Sequence, residues 1–202
     1  LASLLNTGVG TLSLGAGHDI LTLQDGVVLV GAGISAGAGS NDQLVLNNAQ
    51  ALGFDGSHTA GFETLLKQNG GTATMTGSQV LGNGTTIAGG TLDVDGTLET
   101  PTIALADSTA LEVDGTVEGG AGATALITGS AGINTISIGA GGTLRANGDL
   151  GTGNDVLDVA GTFDTGAGVL ALGDGDDTLT IHENTNIVGT VSAGAGNDIF
   201  DT

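Results

Sequence analysis

The stretch GDGDDTLTI, residues 173–181, sets two glycines and three aspartates in front of a short alternating segment. Two close variants accompany it, GTGNDVLDV at 151–159 and GAGNDIFDT at 194–202. Gly151, Gly173 and Gly194 thus open matching motifs 22 and 21 residues apart. At the other end, GAGHD (15–19) is followed 22 residues later by GAGSND (37–42). In the middle, TLDVDGTLE (91–99) returns as ALEVDGTVE (110–118), and TLRANGDL (143–150) and VLDVAGTF (156–163) are further variants. Self-similarity at a fixed period is the signature of a repeat architecture.

Each unit holds short runs in which apolar residues alternate: Leu92, Val94 and Leu98, then Leu111, Val113 and Val117, then Leu179 and Ile181. A period of two reads as half-buried strand, and Gly, Asn and Asp punctuate it as turns. The sole proline, Pro101, falls at a strand boundary. No segment carries a sustained helical stripe. Two or three strands per unit of about 19–22 residues predict an all-β parallel β-helix, with about nine or ten coils stacked at ~4.8 Å. The whole of 1–202 reads as one such segment, with no cap pattern at either end; the reading expects a longer protein that continues in at least one direction.

Composition agrees. The chain has 202 residues, 40 of them glycine, and 39% are hydrophobic, enough apolar surface to offset chain entropy. Only 2% are aromatic, which suits a thin core of small aliphatics. Two basic residues, Lys67 and Arg145, face 22 acidic ones, for a net charge of -20. Phosphate backbones and anionic lipid surfaces need clustered Lys and Arg, so nucleic acid and membrane surfaces are poor partners. No apolar run approaches the ~20 residues of a membrane span. Without cysteine there are no disulfides or thiolate metal sites.

Residues 61–98, GFETLLKQNGGTATMTGSQVLGNGTTIAGGTLDVDGTL, carry a more specific signal. Phe62, Leu65 and Lys67 are followed by Gly71, Thr72, Thr74 and Gly77. Gly84, Thr85, Thr86, Ile87, Gly89, Gly90, Thr91, Leu92 and Val94 complete the pattern. This resembles the autotransporter-associated β-strand repeat of bacterial type V passenger domains, with Met75 in place of the usual Leu and one glycine spacing shifted at Gly70-Gly71. The resemblance implies a right-handed parallel β-helix stalk, exported through an outer-membrane barrel to the bacterial cell surface. It also implies adhesion or self-association, with a host-surface or matrix ligand, or another copy of the chain, as partner.

The aspartate corners invite a second reading. Gly-x-Gly-Asn/Asp-Asp is similar to the calcium-binding nonapeptides of RTX proteins, where carboxylates and carbonyls from turns nine residues apart enclose each ion. A period of 21 or 22 excludes that roll. At this coil length Asp155, Asp177 and Asp198 would instead stand one above another, as would Asn154, Asp176 and Asn197. Stacked carboxylates ~5 Å apart repel by about 1 kcal/mol in bulk water and more near protein, and a cation would relieve it. The simpler expectation is that each Asp or Asn caps its own corner as an Asx-turn while Gly supplies positive φ. No metal ligand is therefore assigned.

Other motifs dissolve on inspection. GISAG (33–37) fits Gly-x-Ser-x-Gly, but a nucleophile elbow needs a helix after the serine, and none is predicted after Ser35. Gly31, Gly33 and Ala36 fit a dinucleotide pattern with the same defect. His18, His58 and His182 share no metal spacing and read as turn or surface residues. Lys67 and Arg145 read as local salt-bridge partners. A β-helix carbohydrate-active enzyme would need basic residues beside its carboxylates, and the chain has only these two. The sequence thus points to a structural or adhesive stalk without catalytic residues or cofactor, with a calcium-binding surface module as the alternative.

Overall fold

Period-two alternation makes each coil a set of short strands separated by turns. One coil runs through Thr64–Gln68, Thr72–Thr76 and Ser78–Val80, and the next through Gly84–Ile87, Thr91–Val94 and Thr97–Glu99. Every strand pair among the described residues is parallel and joins one coil to the next, so the coils stack as a β-solenoid of about nine turns. The chain is described by a computed structural model over residues 3–202.

Three faces result. The first stacks Ile20–Gln24, Gln43–Asn47, Thr64–Gln68, Gly84–Ile87, Thr102–Leu105 and Ala125–Ser130. The second runs from Leu52–Asp55 to Ile199–Asp201 as an eight-stranded sheet. The third begins with Ser78–Val80, Thr97–Glu99 and Thr116–Glu118. Towards the C-terminus, Thr143–Gly151, Thr162–Asp174 and Asn186–Ala195 bend around the corner and serve the third and first faces in turn.

The inward positions form continuous columns. On the second face Phe54, Met75, Val94, Val113, Ile138, Val159 and Ile181 lie in register, and all but Ile181 are buried. Met75 fills its place in that column without exposure. Each buried aliphatic of this kind contributes about 1.5–3 kcal/mol. Pro101 sits between Thr97–Glu99 and Thr102–Leu105, where a missing N–H costs nothing, and its carbonyl accepts from Leu126 N–H.

Coil length varies more than the motif spacing predicts. Thr85 pairs with Ile103, 18 residues on, whereas Leu111 pairs with Ile136, 25 on. The longer coil carries the turn Gly119–Thr124, closed by Gly119 N–H on Ala123 C=O and Ala123 N–H on Gly120 C=O. Register depends on the paired strands alone, so surplus residues loop outward.

The two sets of Gly-x-Gly-Asp motifs do not share a column. Those ending at Asp19 and Asp42 precede the first face, those ending at Asp155, Asp177 and Asp198 the second. One local signal therefore turns two different corners. Gly173 and Gly175 have φ of 117° and 148°, and a Cβ on either would strike the carbonyl of Gly151 or Gly153 in the coil before.

Candidate functional site

The corner between the first and second faces holds half of the buried polar side chains among the described residues. Its chemistry changes along the axis. In the earlier coils its buried side chains act as donors, although Asn48 Oδ1 is also buried there without a partner. Asn48 Nδ2 donates to Gln50 O at 2.6 Å and Thr72 O at 2.9 Å. Lys67 Nζ donates to Gln68 O, Asn69 O and Gly89 O at 2.8–3.0 Å. Thr109 Oγ1 donates to Ala106 O at 2.7 Å. Asn134 then does both: its Nδ2 donates to Ala106 O at 2.8 Å, and its Oδ1 accepts from Ser130 N–H at 2.9 Å.

Beyond Asn134 the corner buries acceptors alone. Asp155 Oδ1 accepts from Asn134 N–H at 2.7 Å, Asp177 Oδ1 from Asp155 N–H at 2.8 Å, and Asp198 Oδ1 from Asp177 N–H at 3.1 Å. Asp155, Asp177 and Asp198 therefore do stand one above another, as their spacing predicts. The Asx-turn expectation is corrected: each side chain caps the coil before its own. The cause is geometric, because ladder-spaced coils bring the preceding rung's N–H as near as any local one. Asx-turns of the expected kind occur elsewhere, as where Asp149 Oδ1 accepts from Gly151 N–H at 2.8 Å and Asp164 Oδ1 from Gly166 N–H at 2.8 Å.

Asn154, Asp176 and Asn197 form the outer ladder, and it runs the other way. Asn154 Oδ1 accepts from Asp176 N–H at 3.1 Å, and Asp176 Oδ1 from Asn197 N–H at 2.9 Å. A third ladder, at the corner before the first face, repeats the inner direction: Asp42 Oδ1 accepts from Asp19 N–H at 2.7 Å and Glu63 Oε2 from Asp42 N–H at 2.6 Å.

Asp42, Asp155 and Asp177 have no exposed surface, and the Oδ2 of each is buried without a hydrogen-bond partner. Burial pushes the Asp155 carboxyl up to about 6; the Asn134 N–H opposes this, and the Asp177 and Asp149 carboxylates add to it. Asp177 is raised by burial too, against the Asp155 N–H and with Asp198, Asp176 and Asp174 adding.

On the outer surface of the second face, Asp93, Asp95 and Asp114 bring carboxylate oxygens within 4.8 Å of one another. Burial raises Asp93, which accepts from Thr74 Oγ1 at 3.0 Å. Sequence reasoning did not single out this cluster, although the return of TLDVDGTLE as ALEVDGTVE is the signal that stacks Asp95 near Asp114. Glu112, Asp114, Asp158 and His182 line a shallow groove further along, with His182 Nε2 2.6 Å from Asp158 Oδ1.

Arg145 pairs with Asp164, Nε to Oδ2 at 3.7 Å, and donates to Gly122 O. The same expectation for Lys67 is corrected. Lys67 occupies the inward column between Leu46 and Ile87 and meets carbonyl oxygens, with no carboxylate in ion-pair reach among the described residues. Burial lowers its pKa, with the Asp25 charge opposing. Ser35 lies in the two-residue strand Ile34–Ser35, and Gly31, Gly33 and Ala36 flank it with no helix following; the only helix among the described residues is the single 3-10 turn Gly56–His58. His18 Nδ1 contacts Ser40 O, and His58 stands 3.9 Å from Asp55. The three histidines lie apart.

Comparison with known proteins returns nothing: no family model, no curated protein and no solved structure matches this chain. What is established is the class, an all-β parallel solenoid with almost no helix. Among the described residues no helix is long and apolar enough to cross a membrane.

Proposed function

We propose that this chain is a structural and adhesive stalk of a bacterial surface protein, of the autotransporter-passenger kind. The observation that carries the reading is the outward column of the second face. Thr74, Asp93, Glu112, Ser137, Asp158, Thr180 and Asp201 lie in unbroken register over seven rungs. Hydroxyls and carboxylates thus repeat at the strand spacing of ~4.8 Å, a straight edge of hydrogen-bonding groups along a rigid rod. The residues behind the passenger resemblance support it: Phe62, Leu65, Lys67, Ile87, Leu92 and Val94 all point inward, where a coil-forming repeat needs them. The reading assigns no catalytic residue. The net charge of -20 opposes non-specific clustering, so a second copy as partner requires bridging or screening.

Sedimentation velocity over a concentration series, in EDTA, tests the rod and its self-association. Binding to arrayed matrix proteins and glycans tests the edge. The triple variant Asp93→Asn, Glu112→Gln, Asp158→Asn is expected to lose binding while keeping its fold. Unchanged binding by that variant would remove the second face from the proposal.

A further inference from the structure

Asp155 and Asp177 are chemically over-provided for the cap they make. Asn154 caps the neighbouring coil's N–H with an uncharged amide oxygen, one residue from Asp155. Asn134 fills the rung before Asp155 in the same register, with both ends of its amide bonded. A neutral side chain thus suffices at this corner. The two carboxylates add charge, full burial and one orphan oxygen each. A buried acceptor without a partner costs about 1–3 kcal/mol, more when charged. Among the described residues no cation offsets it, since Lys67 is bonded to carbonyls, Arg145 to Asp164 and Gly122, His182 to Asp158, His58 stands by Asp55 and His18 by Ser40.

We propose that Asp155 Oδ2 and Asp177 Oδ2 hold one calcium ion between their rungs. The donor set is oxygen alone, which suits a hard cation and not zinc. Calcium accepts irregular shells of six to eight oxygens, whereas magnesium demands a tight octahedron and keeps its water. The same device recurs at the other end of the molecule. Asp42 has no exposed surface and an orphan Oδ2, and a Cβ on Gly39 would sit 3.1 Å from that oxygen and against the Gly17 carbonyl. Glycine there leaves an oxygen-lined nook that a side chain would fill. The inference is independent of the stalk reading.

The test is calcium binding by flow dialysis, paired with thermal unfolding of the 202-residue chain at constant ionic strength and about pH 8. Wild type is expected to bind calcium at sub-millimolar concentration and melt higher than in EDTA, with magnesium at least roughly tenfold weaker. Asp155→Asn with Asp177→Asn is expected to lose at least one bound equivalent and to melt no lower than wild type in EDTA. Asp177→Asn alone provides the same readout if the double variant does not fold. Asp93→Asn, Asp95→Asn, Asp114→Asn is expected to keep the melting response. The proposal is overturned if wild type binds no calcium at millimolar concentration, or if the Asp177→Asn chain keeps wild-type stoichiometry. It is equally overturned if acidification in EDTA raises the melting point while calcium does nothing, because a proton then occupies the orphan oxygens.

Discussion

The corner between the first and second faces is built in two opposite ways. Around Lys67 it presents backbone carbonyls inward, and the side chain from the strand before the turn donates to three of them. Around Asp155 and Asp177 it presents N–H groups inward, and the side chain of the last turn residue before the strand accepts them. Asn134, able to donate and accept, stands where one regime gives way to the other. The difference teaches that turn conformation sets the polarity a buried corner requires. The turns 151–155 and 173–177, with glycines at positive φ, leave the Asp155 and Asp177 N–H groups to be capped. A solenoid can therefore keep its faces continuous while inverting the charge inside one edge.

The sharpest way to break this contrast is to give the Lys67 corner the chemistry of the other. Lys67→Glu would set a carboxylate against three carbonyl oxygens in a dry column, and a loss beyond about 4 kcal/mol, with no cooperative melt by circular dichroism, is expected. A folded Lys67→Glu chain would show that the corner tolerates either polarity.

Asp155→Ala comes next. It orphans the Asn134 N–H inside the corner and is expected to cost about 1–3 kcal/mol in urea unfolding. Asp155→Asn keeps an acceptor and removes the buried charge, so in EDTA it should match or exceed wild type. Equal loss in both variants would mean that the charge itself stabilises the corner.

Acidity sharpens the same point. Asp155 titrates in the fold at about 6, above its ordinary carboxyl value of 3.8. The folded chain therefore holds this proton more tightly than the unfolded one, and stability falls as pH rises between those values. Asp177, Asp93 and Glu112 are shifted in the same direction. Metal-free protein is thus expected to be more stable near pH 5 than at pH 7.5, and Asp155→Asn should flatten part of that slope. A stability flat over this range would remove the buried-charge account.

The smallest effect belongs to the outer ladder. Asp176→Asn places a third amide between Asn154 and Asn197 and should change stability by less than about 0.5 kcal/mol. A larger loss would assign the outer ladder a role that its exposure does not suggest.

Much of this was legible beforehand. Alternation in Leu92-x-Val94 and Leu111-x-Val113 identified strands because a period of two has one physical meaning when glycine bounds it. The 21- and 22-residue spacing of Asp155, Asp177 and Asp198 placed them in a column because coils of near-equal length stack in register. Lys67 is harder to read, since a lone cation in so acidic a chain suggests a carboxylate partner, while its place two residues after Leu65 sets it on the inward side among carbonyls. The Asp93–Asp95–Asp114 cluster was present as a repeat but needed the turns' actual approach to become a cluster.

The sequence by itself determined the solenoid and the stacking of its aspartates, because both follow from local periodicity repeated along one axis. The tertiary structure alone decided which corner each motif turns, which way each side chain reaches along the axis, and which carboxyl oxygens are left without a partner. Those depend on contacts between residues about twenty apart in sequence, and such contacts exist only once one coil lies upon the next.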